Sequence, residues 1–501
     1  PGIGSAQAEA AFRRTLDSLA PPPSPEATGA DEHDALIAKL VEQQRHWSGL
    51  ALADRAKAVA EAARALRDRR DELAATLVRE LGMTWTEALQ EATRGIDGFE
   101  FSARAAGSLQ RATRLGRFVT EQNELRTMPL GVCGVVPSPA SPISDLALLI
   151  GSALVTGNAA AVLACGAARG IIAKTMDIIG GRSSGLAGAI GLLVDGGDSE
   201  AIDRAAADER IAMFAGSGLD DDVRRSLVST MTERKDGGSA IAASLLSGRA
   251  SGNSLIIDIS ADPDDSLATM LDACLGFQGQ RRSSCRRVLA VEEQFERIVD
   301  RIGDALAPIP IGPATDPLHE LGPMMDPAHA ERAKALITRL EAGEGGAKLI
   351  ARRDDAAAMD DEAAGRLVTP RIYAIEDATA DAALDETAGP IMLIAKTPSF
   401  EDAVRAANAG WPGVTVIESR KPSNIEHARR MCRAANVLIN FAPSHERIAR
   451  QPWGAPAPGG HGALFGGAGL LKRFIQPQLV TENMMRQGFA PEVEEAEEAS
   501  A

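Results

Sequence analysis

The stretch Gly279-Gln280-Arg281-Arg282-Ser283-Ser284-Cys285 gathers guanidinium groups, hydroxyls and a thiol in one short span of chain. Of these groups the thiol is the strong nucleophile, provided that its surroundings favour the thiolate. The guanidinium of Arg282 stays charged and attacks nothing. A second stretch, Ala215-Gly216-Ser217-Gly218, lies between the apolar run 210–214 and a helix expected to begin at Asp220. A strand, a glycine turn at Gly216 and Ser217, and a helix would let a pyrophosphate approach the helix N-terminus. A bare connection would look the same, and Asp220-Asp221-Asp222 puts carboxylates where the phosphate would sit. Glu386, in Glu386-Thr387-Ala388-Gly389-Pro390, is a lone carboxylate that suits solvent or a helix cap as well as a ligand.

The elements that would position these groups can be read from periodicity. Residues 1–30, rich in Pro, Ala and Ser, read as a flexible arm. From Asp31 to about Leu109, apolar residues recur at helical spacing: Leu36, Leu40 and Trp47, then Val59, Ala63 and Leu66, then Leu73, Leu77 and Leu81. Short strands are expected at 118–120 and 125–128. Strands at 131–136, 159–165, 191–194 and 210–214 then alternate with helices, the pattern of a parallel, doubly wound sheet. A strand at 255–259 and a helix at 265–277 lead to the central stretch. Strands at 391–395, 414–417 and 437–440 with intervening helices make the second half α/β as well, and a late strand is expected at 474–480. The expected division is an α/β domain of dinucleotide-binding type over 31–275, with oligomerisation strands near 112–130. A second α/β domain covers 276–465, a C-terminal oligomerisation strand lies in 466–490, and an acidic, disordered tail fills 491–501.

The chain has 501 residues, 45% hydrophobic and 24% charged, which is the composition of a soluble globular protein of two or three domains. A net charge of -16 argues against nucleic acid, whose backbone needs clustered Lys and Arg. The cysteines at 133, 165, 274, 285 and 432 have neither metal-ligand nor disulfide spacing, so a reduced, cytoplasmic compartment is expected. Residues 146–168 are uncharged and long enough to span a bilayer, but Thr156-Gly157-Asn158 interrupts them with a turn signal. A buried helix, a turn and a buried strand are expected there, with no membrane span.

In order along the chain, Pro129-Leu130-Gly131-Val132, Ala153 to Asn158, Phe214 to Ser217, Phe277 to Gln280, Glu386 to Pro390, Val437 to Asn440 and Pro452-Trp453-Gly454 resemble the landmarks of the aldehyde dehydrogenase superfamily. The resemblance covers roughly 31–480, and the spacing around Ile256 and Gly279 looks nearest to the proline-catabolic, glutamate-semialdehyde branch. It implies two doubly wound α/β domains with a small β oligomerisation domain. The implied mechanism has a thiolate attacking an aldehyde, an amide donor holding the oxyanion, hydride passing to NAD(P)+, and a glutamate activating water. Carried over residue by residue, the nucleophile position holds Arg282. The oxyanion Asn position holds Ala140, and the deacylating glutamate position holds Gly248. The lysine for the cofactor ribose falls on Leu163. Glu386 matches the nicotinamide-ribose glutamate, and Gly216 and Ser217 match the cofactor turn.

The resemblance with these departures implies a non-catalytic member, a structural or regulatory subunit that oligomerises with itself, with an active aldehyde dehydrogenase or with a pathway enzyme. NAD(P) would bind weakly or not at all. One alternative is an active NAD(P)-dependent enzyme using Cys285 as nucleophile through a shifted loop. Another is a protein that binds an anion or small ligand in the former substrate tunnel. Arg282 is expected at the base of that tunnel, paired with Glu386 or turned toward water or an anion, because a buried guanidinium needs a partner.

Overall fold

Apolar residues at helical spacing build an amino-terminal layer of helices: α1 (Ala6–Ser18), α2 (Ala30–Gly49), α3 (Leu52–Asp68), α4 (Arg70–Leu81) and α5 (Trp85–Ala105). The computed structural model describes residues 6–19, 25–109, 113–115, 121–182, 185–186, 188–197, 199–219, 221–235, 244–248, 252–385, 387–445, 447–454, 465–467 and 469–483. The arm expected to be flexible thus carries a helix. Phe12 and Leu16, four residues apart on one face of α1, are buried. The Phe12 ring stacks on Trp85 with centroids 5.0 Å apart. Arg79 donates to the Leu16 and Leu19 carbonyls at 2.5 and 2.6 Å, satisfying acceptors left over at the end of α1. Pro21, Pro22 and Pro23 lie outside the described residues.

Two parallel sheets follow. In the first, β3 (Val132–Val136), α6 (Pro142–Val155), β4 (Ala159–Ala164), α7 (Arg169–Arg182), β5 (Ile190–Val194), α8 (Glu200–Ala207), β6 (Ile211–Leu219) and α9 (Asp221–Thr232) alternate as expected, and β7 (Leu245–Gly248) adds a strand that was not expected. The strand order is β5-β4-β3-β6-β7, with every pairing parallel. The uncharged stretch 146–168 resolves into α6, the turn at Gly157 and β4, all buried. Asn158 ties that turn down: its Oδ1 accepts from Leu130 N and Gly131 N, and its Nδ2 donates to Phe474 O. Among the described residues no helix is long and apolar enough to cross a membrane.

The second sheet contains β8 (Ser254–Ile257), β9 (Arg287–Val291), β10 (Lys348–Arg352), β11 (Arg371–Ile375), β12 (Ile391–Thr397), β13 (Val414–Glu418) and β14 (Asn436–Ile439), in the order β10-β11-β12-β9-β8-β13-β14. It is parallel except for β10 against β11. The strand expected at 255–259 therefore belongs to the second domain, between β9 and β13. The domain boundary accordingly precedes Ser254 and does not fall at 275. A third, antiparallel sheet joins β1 (Thr113–Arg114), β2 (Glu121–Pro129) and β15 (Ile475–Asn483), with Pro129 opposite Ile475 and Glu121 opposite Asn483. The strand expected at 118–120 and the tail 491–501 lie outside the described residues, and the strand expected at 125–128 is longer, filling β2.

Candidate active site

The central stretch is anchored by backbone geometry before any side chain acts. Phe277, Gln278 and Gly279 have φ of 48°, 55° and 65°, three consecutive left-handed residues. That conformation costs roughly 1–2 kcal/mol for each non-glycine residue, so the surroundings must hold it. Glu87, in the first turn of α5, accepts from the Phe277 amide. Gln278 Nε2 donates to Gly322 O, and Gln280 Oε1 accepts from Met325 N at 3.0 Å. At Gly279 a Cβ would meet Gly389 O at 2.1 Å, so only glycine fits. Past the turn, Asn253 Nδ2 donates to the carbonyls of Arg282 and Ser284 at 2.9 and 3.1 Å. Its Oδ1 accepts from Gly413 N and Val414 N. Asn253 thus fastens the central stretch to the start of β13. No motif in the sequence marks Asn253, because its partners are backbone groups far along the chain.

The arginines of this stretch are each committed. Arg281 pairs with Glu87 at 3.1 Å and with Asp272 at 3.4 Å. Arg286 donates to the Asp385 carbonyl. Arg287 is wholly buried and donates to the carbonyls of Ala378, Ala406 and Gly252, and burial lowers its pKa to about 10. Arg282 places Nη1 2.6 Å from Asp145 Oδ1 and its guanidinium carbon 5.6 Å from the Trp453 ring centre, within cation–π range. Asp145, in the first turn of α6, is 1% exposed. Among the described residues the acid on Arg282 is Asp145; Glu386, one of the partners expected for it beside water or an anion, lies outside the described residues. The reason is local. Asp145 sits on a rigid buried helix that faces the central stretch, which a sequence alignment of landmarks does not reveal.

Arg282, Ser138, Ala140, Gly218, Ser284 and Gly389 are among the residues around a cavity of about 60 Å³. A volume of that kind holds a few waters, each needing about 10–15 Å³. Ala140 offers the cavity a methyl group; its amide donates to Ser138 Oγ at 3.3 Å. Ser138 Oγ in turn donates to Gly218 O at 3.3 Å. Gly248 ends β7 opposite Leu219 and carries no carboxylate. Cys285, the alternative nucleophile, has no exposed surface and is not among the cavity's described lining residues. Its amide donates to Ala273 O at 2.8 Å, and its carbonyl accepts the Cys274 thiol at 2.6 Å. The placement is that of a packed thiol.

The cofactor contacts implied by the resemblance do not fit the residues present. Leu163 is a buried core residue of β4, opposite Leu193, and offers no donor to a ribose. Gly216, Ser217 and Gly218 do not form a separate turn: β6 runs on through them to Leu219, with Gly218 at φ +61°. A Cβ at Gly216 would meet Val136 O at 2.7 Å, so this glycine serves strand packing. The helix α9 begins with Asp221 and Asp222, while Asp220 lies outside the described residues. Among the described residues no group of three or more His, Cys, Asp or Glu could hold a metal ion.

A buried carboxylate that the sequence reading did not single out stands beside this site. Glu91 on α5 accepts from Ile143 N at 3.0 Å, Ser144 N at 2.8 Å and Ser144 Oγ at 3.0 Å. It caps the N-terminus of α6 and so fixes Asp145 in front of Arg282. Burial pushes its pKa up, against the pull of those donors and of Arg94.

Comparison with known proteins places this architecture. The aldehyde dehydrogenase family model matches residues 24–480. The 1-pyrroline-5-carboxylate dehydrogenase of Geobacillus thermodenitrificans is 25% identical over 440 residues, covering 87% of this chain and 83% of that protein. That of Bacillus subtilis is 25% identical over 435 residues, covering 85% and 81%. A solved variant of the Thermus thermophilus 1-pyrroline-5-carboxylate dehydrogenase superposes with a TM-score of 0.86 at 22% identity, over 96% of this chain and 98% of that one.

Proposed function

The chain belongs to the aldehyde dehydrogenase family, and from that premise we propose that it is a non-catalytic member acting as a structural or regulatory subunit of a homo- or hetero-oligomer. Homologues in the family use NAD(P). The reading for this chain is that NAD(P) binds weakly or not at all. One observation carries the proposal: at the nucleophile position the Arg282 guanidinium is held by Asp145 and Trp453. A guanidinium is no nucleophile, and here it takes up space beside the cavity that the chemistry would need. Ala140 and Gly248 support the same reading, since loss of a single oxyanion donor already costs about 10²- to 10³-fold in rate. Loss of the nucleophile removes the covalent route altogether.

The test is turnover. Because the similar proteins are named 1-pyrroline-5-carboxylate dehydrogenases, the substrate of choice is glutamate semialdehyde in equilibrium with its cyclic imine, assayed with NAD+ and NADP+. The expected result is no rate above background. A rate that Cys285→Ala abolishes would overturn the proposal in favour of an enzyme using Cys285. The subunit role is tested by copurification from the protein's own host, where an active dehydrogenase or pathway enzyme is the expected companion if the chain does not assemble with itself.

A further inference from the structure

Trp411 and Met431 are 52% and 53% exposed and stand on adjoining loops. Met431 ends the helix Pro422–Met431, and Trp411 lies between the helix Phe400–Ala407 and β13. Asn408 joins the two loops: its Nδ2 donates to Met431 O and its Oδ1 accepts from Arg433 N, each at 2.8 Å. Pro412 O accepts from Ala435 N at 3.4 Å. The same corner carries Arg429, Arg430 and Arg433, all exposed. Glu426 meets Arg429 at 3.9 Å and Arg430 at 3.6 Å, too far for a hydrogen bond. Arg433 makes no ion pair among the described residues. On the neighbouring helix Arg405 pairs with Asp402, and the acids Glu401 and Asp402 stand in the first turn, at the end away from Asn408. Arg429 and Arg430 suit a helix C-terminus on dipole grounds alone. Arg433, beyond the helix, and the two exposed apolar side chains do not serve that purpose. Trp, Met and Arg together are the residues enriched at interfaces.

The chain carries a complement to this face. β15 ends at Asn483, and among the residues after it, outside those described, is Glu492-Val493-Glu494-Glu495-Ala496-Glu497-Glu498, five carboxylates with two small apolar side chains and no basic residue. In extended chain these positions reach about 30–50 Å from Asn483. A compact chain of this length has a radius of gyration of roughly 23 Å, so much of the chain's own surface is within that reach. A tethered segment acts at an effective concentration on the order of millimolar, which the same segment of a second copy at micromolar concentration does not match. A nucleic-acid backbone, the other polyanion that Arg and Trp would suit, is repelled by the net charge of -16. We propose that Glu492–Glu498 docks on this face of its own chain, its carboxylates on Arg430 and Arg433 and its Val493 and Ala496 against Trp411 and Met431. The inference does not rest on the loss of catalysis, so a positive turnover assay would leave it standing.

The experiment is quenching of tryptophan fluorescence by acrylamide in the full chain. Trp47, Trp85 and Trp453 are 4%, 7% and 6% exposed, so the quenchable signal belongs to Trp411, and Trp411→Phe checks that assignment. One variant carries Glu492→Gln, Glu494→Gln, Glu495→Gln, Glu497→Gln and Glu498→Gln. A second carries Arg430→Glu and Arg433→Glu. Each is expected to raise the quenching constant about twofold or more over the wild type while circular dichroism stays unchanged. The two lie on opposite sides of the contact, so misfolding of one leaves the other to decide. Adding Glu494→Lys, Glu495→Lys and Glu497→Lys to the second variant is expected to return the constant toward the wild-type value. Wild-type quenching in a folded first or second variant would overturn the proposal, as would a charge-reversed chain that regains no protection. Protection of wild-type Trp411 that grows over about a tenfold rise in protein concentration would also overturn it, by seating a second copy on the face.

Discussion

At the scale of the residue, the pair Arg282–Asp145 decides most. Removing one member of a buried ion pair leaves the other charge in a poor environment, at a cost of about 3 kcal/mol. Arg282→Met is expected to lose that much stability in urea denaturation, and Asp145→Asn in the same chain is expected to recover most of it. Equal losses in the single and double variants would show that the charge on Asp145 is not what Arg282 neutralises. Arg282→Cys supplies a thiol but neither an oxyanion amide at Ala140 nor a base at Gly248. It is therefore expected to remain inactive with glutamate semialdehyde and NAD+, and a turnover number above 0.01 per second would refute that expectation. The unusual identity of residue 282 was legible in the sequence, because Gly279-Gln280 marks the position. Its partner was not: Asp145, Glu91 and Asn253 act across distances of more than a hundred residues or through backbone groups that no motif records.

At the scale of the element, helix ends carry charges that couple α4 to α7. Glu80 Oε1 accepts from Gly170 N at 2.7 Å at the start of α7, and burial lifts its pKa from the ordinary 4.5 to about 7 in spite of that bond. The unfolded chain loses this proton near 4.5 while the native chain keeps it until about 7. Between those values the native state binds more protons, so stability falls as pH rises through the window and is level above it. Glu80→Gln is expected to remove that slope, worth on the order of 3 kcal/mol, and an unchanged pH profile of urea midpoints would count against it. Gly279→Ala meets Gly389 O and a left-handed backbone together. It is expected to destabilise by more than about 3 kcal/mol or to prevent folding. The alternation of strands and helices was readable because it is local. Which sheet takes a given apolar run was not, so 255–259 was assigned to the wrong domain. The strands β10 and β11 were missed because β10 is a largely exposed edge strand whose apolar run, Leu349-Ile350-Ala351, is short and flanked by charges, and β11 opens on an arginine. The helix α1 was hidden by the nearby Pro-rich composition of the arm.

At the scale of the whole molecule, the three-stranded sheet has the least cover. Leu479 on β15 is 56% exposed and Met128 on β2 is 39% exposed, and β15 is the outer strand of the sheet along Ile475–Asn483. Backbone groups along such an edge are normally paired, covered or blunted. Pro477 removes one donor, but the strand beyond it to Asn483 is still open to pairing among the described residues. A net charge of -16 keeps copies apart unless a specific contact overcomes the repulsion. An open edge strand carrying an exposed leucine on so acidic a chain therefore argues for a dedicated interface. Light scattering at micromolar concentration is expected to give a dimer or larger assembly. Leu479→Arg is expected to shift it toward monomer with unchanged circular dichroism. A wild-type monomer would exclude self-association through this sheet and leave a different chain as its cover. A Leu479→Arg variant that stays fully oligomeric would move the interface elsewhere on the molecule.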